Sequence, residues 1–429
     1  MDTHHHKPGD AGVTRTWTGL FLHSLLVLVV CVGVTQAQKK RPKLPKWKID
    51  PYTKNDPKAM AKAGYVSYGP FGFGEIGENE VQTNDIEKEL GKVKLIWVET
   101  AHFKIGSALA RWPIPTDRAV KQKLRAELTE LKKKIPKVKI KAKVLDRWLR
   151  LHLFAQRLEN LYSRFQEIMK VTDADFPTKK GMRIKGRYMG EGPFLGQPAK
   201  YTVIMFQKES DYTRYLRTYI GMAQTFAKRH NFKIFGSLFT GTAAELYEGS
   251  LKHDTAMHCH IVFNVIQQLI NGYRMYIFDM PVWFKEGMAH YFERLISRKY
   301  NDFDQNESSS ADLGKAWKWK PKIRALVVTK NKKLKSWSEM LKWRDYGQIK
   351  FYDHMVLWGR MEFLFSRGEE GIRIYLDMMK GNIDPSSQGS LAKAILKVQR
   401  DAFRKGFGGN PIKLDELWME HVKKTYPSR

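Results

Sequence analysis

The stretch that most constrains this chain is LKHDTAMHCHIVFNVIQQLINGYRMYIFDMPVWFKEGMAHYFE, Leu251 to Glu293. It sets His258, His260, Glu286 and His290 inside two long apolar runs. Imidazoles and a carboxylate at helical spacing are the raw material of a metal site. The question is whether their spacing makes one.

On a helix, side chains at i and i+4 project from one face one turn apart, so two imidazoles four residues apart reach a single ion. A carboxylate beside the first imidazole then points at the ion's water as general base. Three registers are open here. From His253 the base and second-ligand positions hold Asp254 and Met257; from His258, Cys259 and Val262; from His260, Ile261 and Asn264. None keeps two ligands. His258 and His260 lie about 200° apart around a regular helix and cannot share an ion from it.

The downstream half, MPVWFKEGMAHYFE, resembles the P-x-W-x-x-E-G-x-A-x-Y-x-E segment of the peptidase MA-like gluzincins, a family of zinc metallopeptidases. WVETAHFKI, YTVIMFQKESDYTRYL, FYDHMVLWGRMEFLF and YLDMMKG resemble further pieces of that family, from about Trp97 to Gly381. The resemblance implies Glu286 as third zinc ligand, and TAM before His258 favours His258 as first, with His260 as the other imidazole at hand. It implies His290, one turn past Glu286, in a second shell with Cys259. The general base and the second histidine are both missing, so zinc is expected to be absent or weakly held and peptidase activity lost. A rebuilt set of His258, Cys259 or His260, Glu286 and His290 stands as the alternative, an active zinc hydrolase with unusual ligands.

Plainer roles weigh against each residue. His258 and His260 read equally as polar core residues, Glu286 as a brace between helices, and Cys259 as a small hydrophobe. Tyr352 and His354, on FYDHMVLW, are placed to approach the same groove, although aromatic residues at helical spacing belong by default to a core. There is no G-x-S-x-G elbow, P-loop or dinucleotide fingerprint. Glu369 and Glu370 begin a helix and suit its dipole.

An apolar run from Leu20 to Val34, with Lys7 and Arg15 before it and small residues Thr35 and Ala37 after it, reads as an export signal over residues 1–37. It is short for a membrane span, and an uncleaved anchor is the alternative. The mature chain is expected in the cell envelope, the periplasm or outside the cell. With Cys31 in the signal, only Cys259 remains, so no intramolecular disulfide forms.

Lys and Arg total 75 against 44 Asp and Glu, a formal charge of +31. QKKRPKLPKWKID, KKKIPKVKIKAK and KAWKWKPKIRALVVTKNKKLKSW spread the excess along the chain. Such a field attracts polyanions, acidic polysaccharide among them, or is a solvated surface. Trp317, Trp319, Trp337 and Trp343, interleaved with lysines, are the candidate stacking residues. No nucleic-acid-binding motif is present.

The fold class read from the patterning is α+β, a small N-terminal sheet followed by a mostly helical, gluzincin-like half. Residues 38–90 read as a flexible basic leader, 91–200 as an α+β module, 201–385 as the peptidase MA-like domain and 386–429 as a C-terminal helical segment. Strands are expected in KLIWVETAHFKIGS and over Tyr201–Phe206, with helical periodicity from about Asp117 to Lys170 and helices only from Ser210 onward. Three functions remain open: a non-catalytic binding or scaffolding protein with a protein partner, the unusual zinc hydrolase, and a polyanion-binding protein.

Overall fold

A computed structural model describes residues 44–73, 81–226, 228–232, 237–303, 318–381 and 388–428. The segment expected to be an export signal, residues 1–37, and Trp317 lie outside them. Pro45–Arg429 is one unit, and its class is α+β as the patterning indicates.

Residues 45–73 are not a loose leader. Helix α1 (Pro57–Ala63) is capped by the Asp56 carboxylate, which accepts the Ala59 N–H, and α2 (Thr83–Leu90) follows. Buried Asp50 accepts from Tyr68 Oη at 2.8 Å and sits 3.2 Å from His152 Nε2. Tyr65 Oη meets the other nitrogen of that imidazole at 2.9 Å. The lysines and prolines that suggest mobility decorate the outside of a segment held by these polar contacts.

The sheet starts as a hairpin, β1 (Ile96–Glu99) antiparallel to β2 (Phe103–Ser107), within the stretch expected to form a strand. The two strands of a separate ribbon, β3 (Trp112–Pro113) and β4 (Val144–Leu145), flank α3 (Arg118–Lys134). The helical periodicity that runs from Asp117 to Lys170 in the sequence breaks after Lys134, where Pro136 forces the preceding residue out of helical geometry. It resumes as α4 (Arg147–Met169), capped by Asp146 accepting from Leu149 N at 3.0 Å.

These helices form the crossover that parallel pairing requires. Strand β5 (Tyr201–Phe206) then pairs parallel to β2, with Phe103 opposite Tyr201. Every residue of β5 is buried, as befits an unbroken apolar run in a strand covered on both faces. The pairing also removes the module boundary at 200/201, because strands on either side of it share one sheet.

After α5 (Glu209–Tyr215) come two strands where only helices were expected: β6 (Arg229–Phe232) antiparallel to β7 (Ser237–Ala243), which runs parallel to β5. The order is β1-β2-β5-β7-β6. A short turn of helix, α6 (Leu246–Gly249), then carries Tyr247 and Glu248 in the left-handed region, φ 53° and 57°.

Helix α7 (Asp254–Gly272) is buried at every position, its polar side chains included. Its end presses on β5: a Cβ at Gly272 would lie 2.2 Å from Tyr201 Oη. Helix α8 (Val282–Ile296) packs along α7. The remaining helices are α9 (Trp319–Val328), α10 (Trp337–Met340), α11 (Phe351–Ser366), α12 (Glu370–Gly381), α13 (Gln388–Phe407) and α14 (Pro411–Thr425). Helix α11 lies against α8 at Gly287, where a Cβ would meet Met361 Cε at 3.1 Å and the Leu357 carbonyl at 3.3 Å. No helix among the described residues is long and apolar enough to cross a membrane.

Candidate functional site

Glu286 is fully buried on α8. Its Oε1 accepts from Gln267 Nε2 at 3.1 Å, and Tyr346 Oη donates to Gln267 Oε1 at 2.9 Å. The residue of α7 that faces Glu286 is therefore Gln267. One turn earlier on α7 stands Phe263, whose ring centroid lies 5.1 Å from that of His290. In an H-E-x-x-H frame, Phe263 and Gln267 thus occupy the two ligand positions and Asn264 the base position. A phenyl ring offers no donor to a metal, and an uncharged amide cannot take a proton from water. Zinc ligation of the gluzincin kind does not fit these residues.

The histidines preferred from the sequence face elsewhere. His258 lies 3.1 Å from Lys123 Nζ and 3.8 Å from a Glu127 oxygen. Burial, then Arg157 and Lys123, push its pKa well below 6.5, so the ring is neutral. The same cluster holds Asp254, 2.7 Å from Arg157 and 3.6 Å from Arg150. Burial pushes the Asp254 carboxyl up, but the two guanidiniums outweigh it and hold it below its ordinary range. His258 is one member of a charge network and not a ligand beside Glu286.

His260 points another way again, its Nδ1 2.9 Å from Asp302 Oδ2. Asp302 also takes Asn264 Nδ2 at 3.2 Å and Lys228 Nζ at 3.3 Å. His260, Cys259, Asp302 and Tyr247 line a cleft of about 330 Å³. Burial, then the nearby Glu293 carboxyl, raise the Cys259 thiol well above its ordinary pKa, which leaves it an unreactive thiol.

The set that does converge is Glu286, His290 and His354, whose ligand atoms lie within 4.8 Å of one another. His290 is one turn past Glu286 on α8, and His354 comes from the first turns of α11. His290 Nε2 meets His354 Nδ1 at 2.8 Å, and each of these nitrogens lies 3.5 Å from Glu286 Oε2. The far nitrogen of His290 meets Glu293 Oε1 at 2.7 Å, and Glu293 Oε2 accepts the Asp302 N–H at 2.8 Å. Of the expected set, the structure keeps Glu286 and His290 together and parts them from His258 and His260. The sequence marks His354 only as a residue near the groove, because nothing in its spacing ties it to a helix 64 positions earlier.

The three candidate tryptophans among the described residues are not a binding face. Trp319, Trp337 and Trp343 are 1%, 0% and 9% exposed. Arg294 lies 3.8 Å above the Trp319 ring, and Arg360 lies 4.7 Å above that of Trp337. Trp319 and Trp337 thus pair with internal arginines by cation–π contact, and none of the three presents a face on which a sugar or base could stack. A surface suited to an anion is found instead beside α3, in a groove of about 440 Å³ where Lys121, Arg125, Lys141 and Lys143 rim Leu124 and Leu128.

No family model, curated protein or solved structure matches this chain.

Proposed function

We propose that this protein is an exported, non-hydrolytic relative of the peptidase MA-like proteins that works by binding, as a scaffold of the cell envelope. One observation carries the reading: the α7 residue hydrogen-bonded to Glu286 is Gln267, and the frame it sets puts Phe263 and Asn264 at the other ligand position and the base position. With them α7 supplies neither the i, i+4 imidazole pair nor the adjacent carboxylate that gluzincin hydrolysis uses. The burial of Glu286, His290 and His354 adds support, since a hydrolytic centre must admit its substrate.

The test is peptide hydrolysis by the exported protein over a mixed peptide library, with zinc supplied. No cleavage is expected. Cleavage that disappears in Glu286→Ala would overturn the reading.

A second reading, compatible with the first, makes the partner an acidic polysaccharide held in the groove beside α3. Cations around an apolar floor favour it, in a chain of charge +31. Lys141→Glu with Lys143→Glu should reduce the steepness with which salt weakens heparin binding by about two released counterions. An unchanged salt dependence would place the anion on some other part of the surface.

A further inference from the structure

We propose that Glu286, His290 and His354 form a buried structural site for a divalent transition metal, zinc first among them, that ties α8 to α11. This does not rest on the non-hydrolytic reading, because a metal sealed from substrate fits a binding protein and an enzyme alike.

Two helices present the donors. Glu286 and His290 stand at i and i+4 on α8, so their side chains share a face one turn apart. His354 joins from α11, which Gly287 allows to approach α8 closely. Three donor atoms result, at mutual distances of 2.8, 3.5 and 3.5 Å. Two atoms bound tetrahedrally at about 2.0–2.1 Å from zinc stand about 3.3 Å apart. The triangle is therefore near the size of one face of a zinc tetrahedron, with one short edge that an ion would open.

The surroundings are those of a supported ligand set. Metal-bound imidazoles present their other nitrogen to a carboxylate or carbonyl, which fixes the ring. Glu293 stands in that place for His290. Glu286 is steadied likewise by Gln267 on its second oxygen. Phe263, Phe303 and Trp319 pack around the His290 ring with centroids 5.1–5.7 Å away, an apolar wall on one side that leaves the fourth position of a tetrahedron to a water or another oxygen donor. Two imidazoles with one carboxylate suit zinc and its neighbours better than magnesium or calcium, which take oxygen donors. All three side chains are fully buried, and none lines the 330 Å³ cleft, which assigns the ion a bracing role.

The experiment uses the full chain, expressed with zinc in the medium, purified without a metal-affinity step and dialysed. Metal content is read by mass spectrometry. One zinc per chain is expected in the native protein. A strong chelator should lower its melting temperature, and returned zinc should restore it. His354→Gln should lose the bound zinc and the chelator effect, whereas loose binding by the His4–His6 run would persist in that variant. Should His354→Gln fail to fold, cobalt substitution of the native protein decides: the intense visible absorption of a tetrahedral site supports the proposal, and the weak spectrum of octahedral cobalt contradicts it. A native protein that retains only trace metal, or a folded His354→Gln that keeps its full zinc, overturns it.

Discussion

Two buried polar clusters flank α7, and they are neutralised by different means. At its start, Asp254 and Glu127 meet Arg157, Arg150 and Lys123, so carboxylates are matched by fixed cations. Further along, Glu286 and Glu293 meet His290 and His354, whose charge depends on protons or on an ion. Guanidinium–carboxylate pairs keep one charge state at any pH where the protein folds. Imidazole–carboxylate groups have several, and so can accept a ligand. The contrast teaches that burial alone does not mark a site: the first cluster answers its carboxylates with fixed cations, and the second with imidazoles that can also serve as donors.

The sharpest way to break this comparison is to remove Arg157. In Arg157→Met, Asp254 and Glu127 lose their shared partner, and leaving buried carboxylates uncompensated should cost about 3–5 kcal/mol of stability in urea unfolding. A cost near that of an ordinary surface substitution would show that Arg150 and Lys123 already suffice. Gln267→Leu acts on the other cluster. It removes the donor to Glu286 Oε1 and the acceptor of Tyr346, and should cost about 1–3 kcal/mol. If that variant proves no less costly than Arg157→Met, the second cluster is held in a single state just like the first, and the contrast fails.

A smaller effect, of opposite use, comes from pH. The His258 ring is held neutral in the fold, while in the unfolded chain it takes up a proton below its ordinary pKa of 6.5. The unfolded state then binds more protons, so stability falls as pH drops below 6.5, by up to about 1.4 kcal/mol per pH unit. Asp254, with its carboxyl held below the ordinary 3.8, adds a further loss only below that value. His258→Gln should flatten the stability curve between about pH 6 and 4 and leave the steeper acid limb in place. A curve unchanged from the native protein would mean that the ring is charged in the fold.

Parts of this are legible in the sequence for physical reasons. Strand β5 announces itself as an unbroken apolar run, and α7 and α8 as long apolar helices around a Pro-x-W-x-x-E-G start. Strand β7 hides because Ser237, Thr240, Gly241 and Thr242 interrupt its apolar character, although all seven of its residues are buried. The His258 register fails for a related reason. Helix α7 carries polar residues on two stripes, Asp254 and His258 on one and His260, Asn264, Gln267 and Asn271 on the other, and since both are buried the spelling does not say which of them meets Glu286. The lysine-flanked tryptophans mislead because neighbours one or two positions along a helix point to different sides. The lysines are at the surface while the indoles of Trp319 and Trp337 lie under arginines from other elements.

Gly287 leaves the α8–α11 contact little slack. The Cβ it lacks would press on Met361 and the Leu357 carbonyl, one turn along α11 from His354. An alanine at 287 would act as a shim of a few tenths of an ångström, comparable to the amounts by which the edges of the triangle depart from those of a zinc tetrahedron.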